Sequence, residues 1–116
     1  MNVLVVDDSA VMRKIIVKAL SDNGYTDIVE ASNGQEALGK MQDIDIVFTD
    51  WNMPVMDGIT FVKELRKSSK VPIVMITTEG GQKEVIEAMR SGVNDYIVKP
   101  FTPSVLNSKM ESLVKK

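Results

Sequence analysis

The chain has 116 residues with no cysteine and no histidine. It is sized for one domain, and it cannot hold disulfides, zinc–thiolate sites, thiolate nucleophiles or imidazole bases. Fourteen Lys and Arg against sixteen Asp and Glu give a net charge of −2, which speaks against a surface built to grip nucleic acid.

In chain order, Val3 to Val6 reads as a first strand, apolar on consecutive residues as in a strand covered on both faces. A helix follows from Val11, with Ser9 as N-cap, Val11, Ile15 and Ala19 recurring beside Met12, Ile16 and Leu20, and Gly24 at its end. Asp27 to Ala31 is the second strand. The second helix opens on Ser32 or Asn33, with Gln35 and Glu36 at capping-box distance, and buries Ala37, Leu38 and Met41. Ile44 to Phe48 is a third strand, and Asp57 caps a third helix with the stripe Ile59, Val62 and Leu65. Pro72 to Ile76 is the fourth strand. The fourth helix, about Gln82 to Ser91, rests on Val85, Ala88 and Met89 alone, between Gly80-Gly81 and Gly92, and is expected to be the most mobile. Asp95 to Val98 is the fifth strand, and Thr102 with Pro103 opens a last helix that turns Leu106, Met110 and Leu113 inward. The Lys-rich end, Lys109, Lys115 and Lys116, reads as a solvated helix terminus. The longest apolar runs, such as Val71 to Ile76 around Pro72, are far shorter than the ~20 residues of a membrane span. No secretory leader is visible, so the chain reads as cytoplasmic.

Strand then helix, repeated five times, predicts an α/β, doubly wound, flavodoxin-like fold: one domain over 1–116 with no output domain. Right-handed crossovers favour a five-stranded parallel sheet of order 2-1-3-4-5, with two helices on one face, three on the other and a ligand crevice between strands 1 and 3. That order is also the general description of this fold class.

Past the carboxyl ends of the strands stand Asp7 and Asp8, then Asp50, then Thr77 and Thr78, then Lys99. Any one of these has an ordinary explanation as a turn or capping residue. Their convergence on one rim does not, because three crowded carboxylates repel and raise one another's pKa values. A hard divalent cation relieves that cost, and carboxylates with water and a phosphate oxygen are what Mg²⁺ accepts. Lys99 supplies a point charge for an anionic ligand, and Thr77 a hydroxyl donor. The set fits phosphoryl chemistry in which a carboxylate is the nucleophile; Asp50, alone opposite the Asp7/Asp8 pair, is the candidate.

Val5-Val6-Asp7-Asp8-Ser9, Asp50-Trp51-Asn52-Met53-Pro54 with Met56-Asp57-Gly58, Thr77-Thr78-Glu79, and Tyr96-Ile97-Val98-Lys99-Pro100-Phe101 resemble, in order and over the whole chain, the receiver domain of two-component response regulators. The resemblance is strongest to the chemotaxis (CheY-like) type, from Trp51, Asn52, Glu79 and the Tyr96 to Phe101 segment, while Thr78 and Gly80-Gly81 depart from well-known members. It implies that Asp50 accepts a phosphoryl group from a histidine kinase, and that Mg²⁺ is held by Asp8, Asp50, Asp7 through water, and the backbone carbonyl of Asn52. Thr77 and Lys99 would hold the phosphoryl oxygens, Tyr96 would turn inward as Thr77 moves, and a cis peptide would join Lys99 to Pro100.

The implied protein is a monomeric signalling receiver, not an enzyme in its own right, that assists its own phosphorylation and dephosphorylation. Its face of fourth helix, fifth strand and fifth helix would bind a target such as the flagellar motor switch, with a phosphatase as a further partner. Lacking histidine, the chain cannot itself be the phosphohistidine donor, and lacking a Walker loop it has no sign of binding ATP. A phosphorelay intermediate passing phosphate to a histidine phosphotransfer protein is the second reading. A metal-dependent aspartyl phosphatase would want an Asp two residues after the nucleophile, where Asn52 stands. A flavin or nucleotide carrier would need a phosphate-binding loop where Asp7-Asp8 would repel the ligand.

Overall fold

The computed structural model describes residues 1–114. Strand and helix alternate as β1 (Asn2–Val6), α1 (Ala10–Ser21), β2 (Asp27–Ala31), α2 (Gly34–Leu38), β3 (Ile46–Thr49), α3 (Gly58–Arg66), β4 (Ile73–Thr77), α4 (Gln82–Ser91), β5 (Asp95–Val98) and α5 (Pro103–Val114). All sheet pairings are parallel, in the order β2-β1-β3-β4-β5.

The strand alternation sorts the core into two layers. Leu4, Val6, Val47, Ile73 and Met75 point to one face, where Ala37 of α2, Phe61, Val62 and Leu65 of α3, and Ala88 of α4 cover them. Val3, Val5, Ile46, Phe48, Val74, Ile76 and Ile97 point to the other, under Ile16, Ala19 and Leu20 of α1 and Leu106 and Met110 of α5. Three helices and two, as expected, cover a sheet whose central strands are buried on both sides.

The caps are the expected ones. Ser9 accepts from the Met12 amide, Asn33 from Glu36, Asp57 from Thr60 and Thr102 from Val105. Several boundaries shift. β3 begins at Ile46, not Ile44, and β4 runs to Thr77, because its ladder pairs Thr77 with Val98; Thr77 is the last residue of the strand and not a loop residue beyond it. α1 ends at Ser21, and Gly24 lies in the following turn at φ 92°, a left-handed conformation that glycine adopts freely. α2 stops at Leu38, so Met41 packs on the core from outside the helix. Lys109 is not a free terminal lysine: its Nζ pairs with Asp95 at 3.1 Å. Lys115 and Lys116 lie outside the described residues.

Candidate functional site at the carboxyl ends of the strands

Three backbone hydrogen bonds tie neighbouring strand ends together before any side chain is considered. The Asp7 amide donates to Ala31 O at 3.1 Å, Asp50 to Val6 O at 2.9 Å and Lys99 to Thr77 O at 2.8 Å. Consecutive parallel strands thus deliver Asp7, Asp50, Thr77 and Lys99 to one rim, and the peptide joining Lys99 to Pro100 is cis, as the resemblance implies.

Asp7 is buried and fully engaged: Oδ1 accepts from the Ser9 amide at 2.9 Å, and Oδ2 from Lys99 Nζ at 2.9 Å. Asp50 presents Oδ1 to the Trp51 amide at 2.7 Å and Oδ2 to Lys99 Nζ at 3.1 Å. Asp8 is exposed. One carboxylate oxygen from each of Asp7, Asp8 and Asp50 lies within 4.8 Å of the others. This all-oxygen donor set fits a hard cation such as Mg²⁺ and suits neither a thiophilic metal nor an imidazole-dependent one.

The electrostatics refine the expectation of mutual repulsion. Burial is the main force lifting the Asp50 carboxyl above its ordinary range; Lys99 and the Trp51 amide oppose it, and the charge of Asp7 adds only a lesser push. Burial also opposes the Lys99 ammonium, but the hydrogen bond to Asp7 and the charges of Asp50 and Asp7 outweigh it, so its pKa stands above normal. Lys99 is therefore the internal counter-ion of the crevice, with both carboxylates in reach and a side chain only 12% exposed.

Thr77 is buried, and its hydroxyl makes no hydrogen bond to Asp50 or Lys99; its Oγ1 accepts from the Glu79 amide at 3.3 Å. The hydroxyl of Tyr96 donates to the carbonyl of the same Glu79. Burial, then the charges of Glu79, Glu84 and Asp50, push the Tyr96 phenol up to about 12, so it remains a hydrogen-bond donor throughout the neutral range. Tyr96 and Trp51 are both half-buried against the α2/α3/α4 layer.

Three contributors escaped the sequence reading. Glu79, noticed only as part of a motif, ties Asn52 to the loop after β4, because Asn52 Nδ2 donates to its Oε2 at 3.0 Å. Arg13 braces the first loop by donating from Nη1 to Asp7 O at 2.6 Å and from Nε to Glu30 at 2.9 Å. Gly58 lets the end of β3 and the start of α3 touch, for a Cβ there would stand 2.0 Å from Asp50 O. The run Met56-Asp57-Gly58 hinted at the last; nothing in the sequence places Arg13 on Asp7.

The chain matches the family model described as response regulator receiver domain over residues 3–111. It is 54% identical to the chemotaxis protein CheY1 of Helicobacter pylori, over 96% of this chain and 94% of that protein. It is 51% identical to a CheY homolog of Campylobacter jejuni, over 98% of this chain and 92% of the relative. A solved CheX-CheY-BeF3-Mg complex from Borrelia burgdorferi contains a chain 31% identical, with TM-score 0.93, covering all of this chain and 90% of that one. No helix among the described residues is long and apolar enough to cross a membrane. With rim, topology and sequence agreeing along the whole chain, the protein belongs to the response regulator receiver family, in its CheY-like chemotaxis branch.

Proposed function

We propose that Asp50 is the phosphoacceptor and that its phosphorylation by a histidine kinase shifts the α4/β5/α5 face toward binding a target such as the flagellar motor switch. The observation that carries this is the meeting of Asp7, Asp8 and Asp50 within one ion's reach, with Lys99 across from them. Asp8 and Asp50, with Asp7 and the carbonyl of Asn52, would hold Mg²⁺, whose contribution is to neutralise crowded oxygens on the acceptor and the incoming phosphoryl group. The Mg²⁺ in the Borrelia complex supports that choice of ion.

In the step itself a carboxylate oxygen of Asp50 attacks phosphorus, the bond from phosphorus to the donor's imidazole nitrogen breaks, and that nitrogen keeps the electron pair. Lys99 follows the charge from the carboxylate to the phosphoryl oxygens. Thr77 turns its hydroxyl from the Glu79 amide to a phosphoryl oxygen, which draws on the residue whose carbonyl holds Tyr96. Moving a switch from 1:99 to 99:1 takes about 5.5 kcal/mol, and charge-assisted contacts at roughly 1.5 to 3 kcal/mol each are of that size. Glu79 is thus the joint between the phosphoryl site and the α4/β5 face.

The test uses Trp51, the only Trp and the residue whose amide holds Asp50. Mg²⁺ and then acetyl phosphate should change its fluorescence in two steps, and Asp50→Asn should abolish the second. Thr77→Ala should keep phosphoryl uptake while removing the accompanying change in the NMR signals of Tyr96. A wild type silent to both ligands would overturn the assignment. The phosphorelay reading predicts instead that labelled phosphate leaves Asp50 for a histidine phosphotransfer domain.

A further inference from the structure

Away from the acidic rim, α3 and α4 border an open groove of about 710 Å³. Its walls carry Lys63 and Arg66 from α3, and Lys83, Ile86, Glu87 and Arg90 from α4. None of its four cations has a carboxylate within ion-pair distance among the described residues. On a chain of net charge −2, four cations without an ion-pair partner against one carboxylate make a local positive field. No lining residue comes from β5 or α5: the groove lies on the α3 side of α4, the one helix it shares with the face assigned above.

Arg66 holds the groove in shape. Its Nε and Nη2 donate to Gly92 O at 3.0 and 2.7 Å, Nη2 also to Asn94 Oδ1 at 2.8 Å, and Nη1 to Ser69 O and Val71 O at 3.2 and 2.7 Å. All five donors of the guanidinium are spent on neutral acceptors, so its charge remains uncompensated. Lys63, Lys83 and Arg90 are exposed, and Ile86 offers an aliphatic surface 43% accessible between them.

We propose that the α3/α4 groove binds an acidic segment of a partner protein, its carboxylates on Lys63, Lys83 and Arg90 and one apolar side chain on Ile86. Charge complementarity selects the sign of the ligand, and the shape selects its class. The lining has no aromatic ring on which a base could stack and no glycine to let a backbone close around a phosphate, so a nucleotide fits poorly. An open trough flanked by flexible cations along two helices suits a chain that lies across it. An occupant bridging α3 and α4 would also bear on the helix that the phosphoryl site is proposed to move.

The test is a titration of ¹⁵N-labelled protein with a peptide of about ten residues alternating Glu and Leu, and with its Lys-for-Glu counterpart. Asp50→Asn protein is used in parallel, so that binding is read independently of phosphorylation. We expect amide shifts along 63–66 and 83–91 from the acidic peptide alone. Affinity should fall as salt rises, and Lys83→Glu with Arg90→Glu should weaken it about tenfold at an unchanged melting temperature. Absence of binding, shifts centred on β5 and α5, equal binding of the basic peptide, or an unaffected double variant would each overturn the proposal. So would matching shifts from a nucleoside triphosphate.

Discussion

α3 and α4 lie side by side on the same face of the sheet, yet they are held in opposite ways. α3 buries Gly58, Ile59, Phe61, Val62 and Leu65 and starts on the Asp57 cap. α4 buries Ala88 alone, and its N-cap, Gly81, contributes no side-chain hydrogen bond. Its firm end is the other one, where Gly92 closes the helix at φ 118° and Arg66 grips the Gly92 carbonyl. Stability is therefore concentrated beside the acceptor strand, and the helix that follows Thr77 is left light at the end nearest the rim. Few buried contacts mean a low cost of displacement, which is what a switching element needs.

The contrast can be broken most forcefully at Phe61. Phe61→Ala should cost about 3–5 kcal/mol by denaturant unfolding, whereas Met89→Ala, on a side chain 44% exposed in α4, should stay within about 0.5 kcal/mol. Equal effects would erase the distinction between the two helices. Arg66→Met keeps the stem but removes the side-chain donor to the Gly92, Ser69 and Val71 carbonyls, while Asn94 Oδ1 keeps the Ile73 amide, and should cost about 2 kcal/mol. Amide exchange in that variant should rise first in the C-terminal turn of α4.

The opposite sign is expected at Val55, a β-branched residue held at φ 68° in the loop leading to α3, with its side chain exposed. Asn tolerates that conformation far better, so Val55→Asn should add about 1 kcal/mol of stability. At Gly81 the backbone is extended, and an added Cβ would meet only the movable end of Glu84. Gly81→Ser should give α4 the cap it lacks, for a few tenths of a kcal/mol, and should blunt the phosphorylation-dependent change at Tyr96. The smallest effect belongs to α2, the third helix of this layer. The Ser32 backbone amide and hydroxyl, with Lys40, hold the Glu36 carboxyl down to about 2. A lowered carboxyl stabilises the fold above its unfolded value of 4.5 and loses that contribution as pH falls toward 2. Glu36→Gln should flatten the acid limb of the melting curve in that window.

The order of elements, the parallel sheet and the identity of the rim residues were legible in the chain. Consecutive apolar residues at Val3–Val6 can be satisfied only by cover on both faces, and caps such as Ser9 and Asp57 act through near neighbours. The resemblance carried the cis peptide at Lys99-Pro100 and the family of the whole. Boundaries were less legible: Thr77 joins β4 because Val98 lies opposite, and no local signal reports a partner 21 residues away.

By itself, then, the amino-acid sequence determined which segments form strands and helices and which side chains stand at the strand ends, because hydrophobic period, capping and chain direction are local. Only the tertiary structure decided how those side chains meet. Lys99 reaches Asp7 across 92 positions, Glu79 receives both Asn52 and Tyr96, and Arg66 ties α3 to the end of α4. Such contacts depend on strand register and helix placement, which the pooled burial of distant residues sets, and pairing of charges in a desolvated crevice follows from that placement.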